Sequence, residues 1–217
     1  MSASVVIRPY EPRDRDALRR IACDTAERGQ PVERFFRDRE VFADLVTRYY
    51  TDDEPQTAWA AECEGRVIGY LTGCLDTPRY RRVMIRRVIP RVILKAIAHG
   101  ALVSGEMWRL LGAGVVTWLG GGCRRQTFLR CYPAHLHVNV QEGFRGQRVG
   151  RRLVERFYEQ ARAAGCEGVH AVVREDNQPA CRFFEWMGFA ILSRRTVTML
   201  GGRGFRQRQA AIYGKRL

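Results

Sequence analysis

The chain has almost no lysine. Lys95 and Lys215 are its two lysines; the other members of its 37 basic residues are arginines, set against 23 acids for a net charge of +14. Paired cysteines are missing as well. The seven cysteines (23, 63, 74, 123, 131, 166 and 181) form no Cys-x-x-Cys pair. An odd, scattered set argues against a disulfide framework or a zinc site, and no metal is expected. No run of 18 apolar residues is free of charge, so no membrane span is expected. The opening "MSASVVIRPYEPRDRD" turns charged before an apolar signal core could form. Together these absences suggest a cytoplasmic protein. The arginine excess fits an anionic partner such as a phosphorylated cofactor, a nucleic acid or a membrane surface, and equally a compositional bias. Charge alone does not make a nucleic-acid binder, and no nucleic-acid partner is expected.

What is present is a chain of 217 residues, 46% hydrophobic, enough for one large domain with a core. Residues 4–10 read as a strand. Residues 11–29 read as a helix with Ala17, Leu18, Ile21 and Ala22 on one stripe and Gly29 as its stop. Residues 37–51 read as a second helix, and 57–75 as a hairpin turning at Glu64 and Gly65. Residues 79–131 break the rhythm: a basic, apolar stretch and then a mostly apolar one read as two or three helices joined by glycines. This insertion is a candidate lid over a cleft, a candidate homodimer contact, or a basic amphipathic surface for a membrane face. The pattern then resumes with a strand (134–141), a helix (147–165), a strand (167–174), a helix (177–188) and two closing strands (189–200, 206–217). That order predicts an α/β protein, a mixed sheet with helices on both faces.

The stretch "QEGFRGQRVGRRL" (141–153) runs from a strand through glycines into a basic helix. Backbone N–H groups and the helix dipole at such a start favour an anion such as pyrophosphate. Gly146 and Gly150 allow close approach, and Arg145, Arg148, Arg151 and Arg152 add positive charge. A second motif, "NQPACRFFEWMGF", begins at Asn177.

The two motifs, in this order and at this separation, resemble the signatures of the GNAT superfamily of acetyl-CoA-dependent N-acetyltransferases. Arg145, Val149 and Gly150 fit the first signature, and Arg148 departs from its first glycine. Asn177, Ala180, Phe183, Gly188 and Phe189 fit the second, and Phe184 departs from its usual tyrosine. The resemblance implies a GNAT fold: a central mixed, mostly antiparallel sheet splayed at a β-bulge, with helices on both faces. The whole chain, 1–217, would be a single GNAT domain with 79–131 as a helical insertion between the third and fourth strands. It further implies that Val138, Asn139 and Val140 offer backbone groups to the coenzyme and that the Val140 N–H polarises the thioester carbonyl. Residues 145–150 (Arg145, Gly146, Gln147, Arg148, Val149 and Gly150) and Arg151 would hold the pyrophosphate. Asn177 would bond the pantetheine or anchor its turn, and Ala180, Phe183 and Phe184 would lie beside the coenzyme. Arg148 is expected to keep ordinary helical dihedrals and to point outward.

The implied activity is transfer of acetyl from acetyl-CoA to a small-molecule or peptide amine in a ternary complex. His135 and His137 share strand parity and are the candidates for base or water-positioner; the other reading is a pair of hydrogen-bonded core histidines. The paired-histidine strand also resembles the arylalkylamine branch of the family, and "YPAHLH" resembles bacterial relatives of the acetyltransferase-like domain found with O-GlcNAcases. In "YYTDDEP", Tyr49, Asp52 and Asp53, together with Asp76 at the entry to the insertion, are candidates to draw the acceptor amine. Phe184 and Arg148 leave room for an alternative, a CoA-binding pseudo-acetyltransferase with a regulatory or scaffolding role.

Overall fold

The computed structural model describes residues 4–100, 127–201 and 204–217. Seven strands form one sheet: β1 (Val5–Pro9), β2 (Ala58–Cys63), β3 (Arg66–Cys74), β4 (Ala134–Val140), β5 (Gly168–Arg174), β6 (Ala190–Gly201) and β7 (Gly204–Arg216). Their order is β1-β2-β3-β4-β5-β7-β6. All neighbours pair antiparallel except β4 and β5, which run parallel. The hairpin between β2 and β3 turns at Glu64 and Gly65, both at positive φ (50° and 74°), the twist that a tight hairpin needs.

Six α-helices flank the sheet among the described residues: α1 (Arg15–Asp24), α2 (Arg39–Arg48), α3 (Thr77–Val83), α4 (Ile89–Ala98), α5 (Val149–Ala163) and α6 (Gln178–Trp186). The first half of the chain covers one face. There Leu18 and Ile21 of α1 bury against Tyr70, and Tyr49, Tyr50, Val88 and Val92 form a neighbouring core with Cys74. Helices α5 and α6 cover the other face, where Leu71, Leu136, Leu153, Phe157, Phe184 and Tyr213 pack together. The packing under α5 is tight: a Cβ on Gly73 would sit 2.1 Å from the Phe157 ring.

Two widened helical turns position side chains for the site. After α2, residues Tyr49–Asp53 form a π-turn in which Glu54 N–H donates to the Tyr49 carbonyl (3.0 Å). The turn buries both tyrosines. After α3, residues Met84–Val88 form another, with Ile89 N–H donating to Met84 O. Pro90 explains it, since a proline in a helix has no N–H and clashes with the carbonyl four residues back; a wider turn absorbs both. The beginning of the 79–131 insertion is therefore helical, and its segment 101–126 lies outside the described residues.

One expectation fails here. Gly29 does not stop the first helix, which ends at Asp24; residues 25–30 form a small loop in which Glu27 and Gln30 pair through their backbones (2.9 and 3.0 Å). Arg28 and Gly29, at φ 55° and 86°, make the turn.

Candidate active site

The site begins with a break in the sheet. β4 pairs with β5 only at Ala134–Val169 and His135–His170, after which the two strands part. The β3–β4 ladder keeps one register from Gly69–Val140 to Cys74–His135, so the opening lies on the β5 side. Gln141 N–H donates to Ile68 O (2.9 Å). Backbone groups alternate along an antiparallel strand, so Asn139 and His137 turn theirs to β3. Val138 and Val140 turn theirs into the opening. The Val140 carbonyl accepts from Arg145 Nε (2.9 Å), whereas its N–H faces the gap.

A cleft of about 600 Å³ fills this gap. Its wall holds Val138, Asn139 and Val140 from β4, Arg145, Gly146 and 148–151 from the turn and the start of α5, and Asn177, Ala180, Phe183 and Phe184 from α6. Gln147 is not in that wall; its side-chain amide donates to Gly143 O (3.1 Å). The wall also holds Thr25, Arg28 and Gly29, Phe144, Pro179 and Trp186, none of which the motifs pointed to. The loop at 25–29 follows α1 and touches the site only through the fold: the Arg145 guanidinium lies 2.6 Å from where a Gly29 Cβ would be.

Arg148 corrects the sequence reading. Its φ is 59° and ψ 11°, left-handed, not helical. The chain arrives extended at Arg145 (φ −70°, ψ 155°), passes Gly146 at φ 77°, and must reverse into α5. A left-handed residue makes that reversal, which is why glycine is the usual occupant. The Arg148 side chain is exposed and leaves the turn open. The first intrahelical bond is Arg152 N–H to Arg148 O (3.1 Å), so the N–H groups of residues 148–151 have no helical partner. They bound the cleft, and free N–H groups at a helix start favour an anion.

Asn177 anchors α6: its Oδ1 accepts from Ala180 N–H (3.4 Å), a helix cap. Phe183 packs 3.5 Å from the position a Gly150 Cβ would take. Phe184 is buried, stacked on Tyr213 with an interplanar angle of 28° and edge-on to Phe189. It brings no hydroxyl to the cleft, and the Tyr213 hydroxyl donates to Glu185 (3.0 Å).

The histidines lie on the opposite face of β4 from α5, in different surroundings. His135 is buried with both ring nitrogens engaged: Nε2 is 2.9 Å from the Tyr50 hydroxyl and Nδ1 2.7 Å from the Thr77 hydroxyl. The Thr77 hydroxyl donates to the Pro133 carbonyl (2.7 Å), so Nδ1 carries the hydrogen and Nε2 accepts from Tyr50. Burial, with help from His137, His170 and Arg81, holds the His135 pKa well below the usual value, and the ring is neutral. His137 shares the face, its ring 6.1 Å from Tyr50 and 5.9 Å from His135, but it is solvent-accessible. No described residue bonds its ring nitrogens. Surrounding protein lowers its pKa by desolvation, so it too is neutral near pH 7. His170 completes the group; it donates from Nδ1 to Tyr132 O (2.9 Å), and burial pushes its pKa down to about 4.

The acidic candidates for the acceptor are engaged elsewhere. Asp52 meets Arg15 (2.6 Å) and Arg48 (3.4 Å), and Asp53 meets Arg87 (3.4 Å). Asp76 caps α3 through Arg79 N–H (3.0 Å). The Tyr49 hydroxyl donates to buried Glu54, whose other oxygen accepts from Leu75 N–H (3.2 Å).

Across residues 113–189 the chain matches the model of the family described as Acetyltransferase (GNAT) family. The matched segment is about a third of the chain. It contains the cleft wall from β4 to α6, and the GNAT fold extends over the whole chain. The structure of SsHAT superposes with a TM-score of 0.71 at 24% identity, covering 98% of each chain. YncA from Salmonella typhimurium, a putative acetyltransferase solved with its cofactor acetyl-CoA, gives 0.60 at 17% identity, covering 99% of this chain and 95% of that one. The polyamine N-acetyltransferase of Drosophila melanogaster gives 0.62 at 17% identity, covering 99% and 100%. At these identities the likeness is one of fold. The cleft presents unpaired strand N–H groups suited to an extended amide chain, then helix N–H groups and arginines suited to a pyrophosphate. No helix among the described residues is long and apolar enough to cross a membrane.

Proposed function

We propose that this chain acetylates an amine by direct attack in a ternary complex, with His137 as the base and His135 as its fixed neighbour. One observation carries the reading. The open, neutral imidazole of His137 sits on the same strand as the unpaired backbone of Val138 and Val140, one and three residues along. Acetyl-CoA supplies the activated acyl group. Val138 and Val140 would pair with its amide arm like an added strand. The N–H groups of residues 148–151 and the side chain of Arg151 would hold the pyrophosphate. The Val140 N–H would donate to the thioester oxygen, where negative charge grows.

The acceptor must reach the carbonyl as a neutral amine, because an ammonium has no lone pair. His137 takes the proton as the N–C bond forms and the C–S bond breaks. The coenzyme leaves as a thiolate; with a thiol pKa near ~8.5 it departs without a dedicated acid, which Phe184 could not be. The base works neutral, and burial depresses its pKa, so protonation of His137 should limit kcat only below about pH 6.5, while kcat/KM also falls with the neutral fraction of the acceptor amine.

The test is calorimetric titration with acetyl-CoA beside a thiol-release assay over an amine panel. Binding with acceptor-dependent release supports the reading. Binding without release from any amine would point to the pseudo-enzyme, and no binding would end both.

A further inference from the structure

A charge inventory around the histidines points to what the acceptor must carry. Alternation along β5 puts His170 and Arg174 on one face of the sheet. Through the Arg174–Ala210 and Arg195–Ala210 pairings, Arg195 stands on that same face, and so does His135, the partner of His170 across the parallel pair. Arg195 differs from the arginines around it. Arg174 meets Glu27 (2.8 Å) and Asp176 (2.7 Å), Arg194 meets Glu175 (2.6 Å), and Arg208 meets Asp176 (3.8 Å). Arg195 has no acid partner among the described residues, and its Nε is buried without any hydrogen bond. The side chain is half-buried, and a buried guanidinium N–H without an acceptor is costly until an anion joins it.

The rest of the inventory has the same sign. Tyr80 packs 4.7 Å from the His135 ring, and the next residue, Arg81, adds positive charge that acts on His135, His170 and Arg195 alike. No described carboxylate acts on His135 or His137. The acids nearest in sequence are held by Arg15, Arg48, Arg87 and the cap of α3, as described above. A site that takes a dication or a lysine-rich peptide would need carboxylates to lower the entry cost of the ammonium; here the field opposes it.

We propose that the acceptor is an amine bearing an anionic group, of the amino-acid class, whose anion is bound by Arg195 in the field of Arg81. A guanidinium fork suits a carboxylate or a phosphonate. The proposal rests on the acetyltransfer reading above.

The experiment is steady-state acetylation of a panel of L-amino acids, the corresponding amides and spermidine, by the full chain and by Arg195→Gln. The wild type should favour an acid over its own amide by at least tenfold in kcat/KM and should not acetylate spermidine better than either. Arg195→Gln should bring the acid-to-amide ratio close to one, with acetyl-CoA affinity unchanged by calorimetry, which also shows that the variant folds. Preference for amides or spermidine, or an unchanged ratio in Arg195→Gln, overturns the proposal. If acetyl-CoA binds and no amine of any charge is acetylated, the acetyltransfer reading itself fails and the proposal with it.

Discussion

The two sides of β4 treat polar groups in opposite ways. Toward β5, the backbone of Val138 and Val140 is left without strand partners, and the start of α5 adds four more N–H groups with no helical acceptor. On the histidine face the side chains are almost fully answered: Tyr50, Thr77 and Pro133 lock His135, and Tyr132 holds His170. His137 is the open exception. The difference teaches a division of labour. Unpaired backbone on one side is free to pair with an extended ligand; on the other, side chains satisfied among themselves leave one ring open beside them.

The largest effect should come from breaking the exception. His137→Ala should lower kcat by about 10²- to 10⁴-fold, the usual range for a lost general base, while calorimetry shows acetyl-CoA affinity unchanged. Unchanged turnover would remove His137 from the chemistry. Next is the answered side under acid. His170 has a folded pKa of about 4 against about 6.5 unfolded, so the unfolded chain takes up the proton first as pH falls. Stability should be whole above pH 6.5 and be lost progressively toward pH 4, by roughly 2 kcal/mol between pH 7 and 5 from this residue. Urea unfolding of His170→Asn should show a shallower loss over that window than the wild type. Tyr50→Phe leaves the His135 Nε2 buried without its donor, and thermal or urea unfolding should show a loss of about 1–3 kcal/mol with coenzyme affinity intact. The smallest effect lies on the binding side. Arg148→Gly relieves a left-handed side chain, worth about 1 kcal/mol, and should raise stability slightly without weakening coenzyme binding.

How legible each side was follows from how local its interactions are. The cleft is written in two short motifs because its donors belong to one strand and one helix start: Val138–Val140, Arg145, Gly146 and Arg148–Gly150 meet Asn177, Ala180, Phe183 and Phe184 there, while Gln147 stays outside. Arg148 was misread because the side chain suggested a helical residue, whereas the path from Arg145 to α5 dictated a left-handed one. The histidine side was half legible: strand parity put His135 and His137 on one face. Nothing local could join His135 to Tyr50 and Thr77, which are 85 and 58 residues away. The acids at 52 and 53 looked available in an arginine-rich chain, and that same richness supplies the arginines that hold them. Nothing in the sequence singles out Arg195; the strand pairings place it on the histidine face.

The central claim is that coenzyme binds through the unpaired backbone between β4 and β5. An amide NMR titration with coenzyme A tests it most directly. The account predicts that the N–H signals of Val138, Val140 and residues 148–151 shift together and gain protection from exchange, while that of Asn139, already bonded to β3, changes little. Shifts confined to other surfaces, or coenzyme binding that leaves Val138, Val140 and Gly150 untouched, would contradict it.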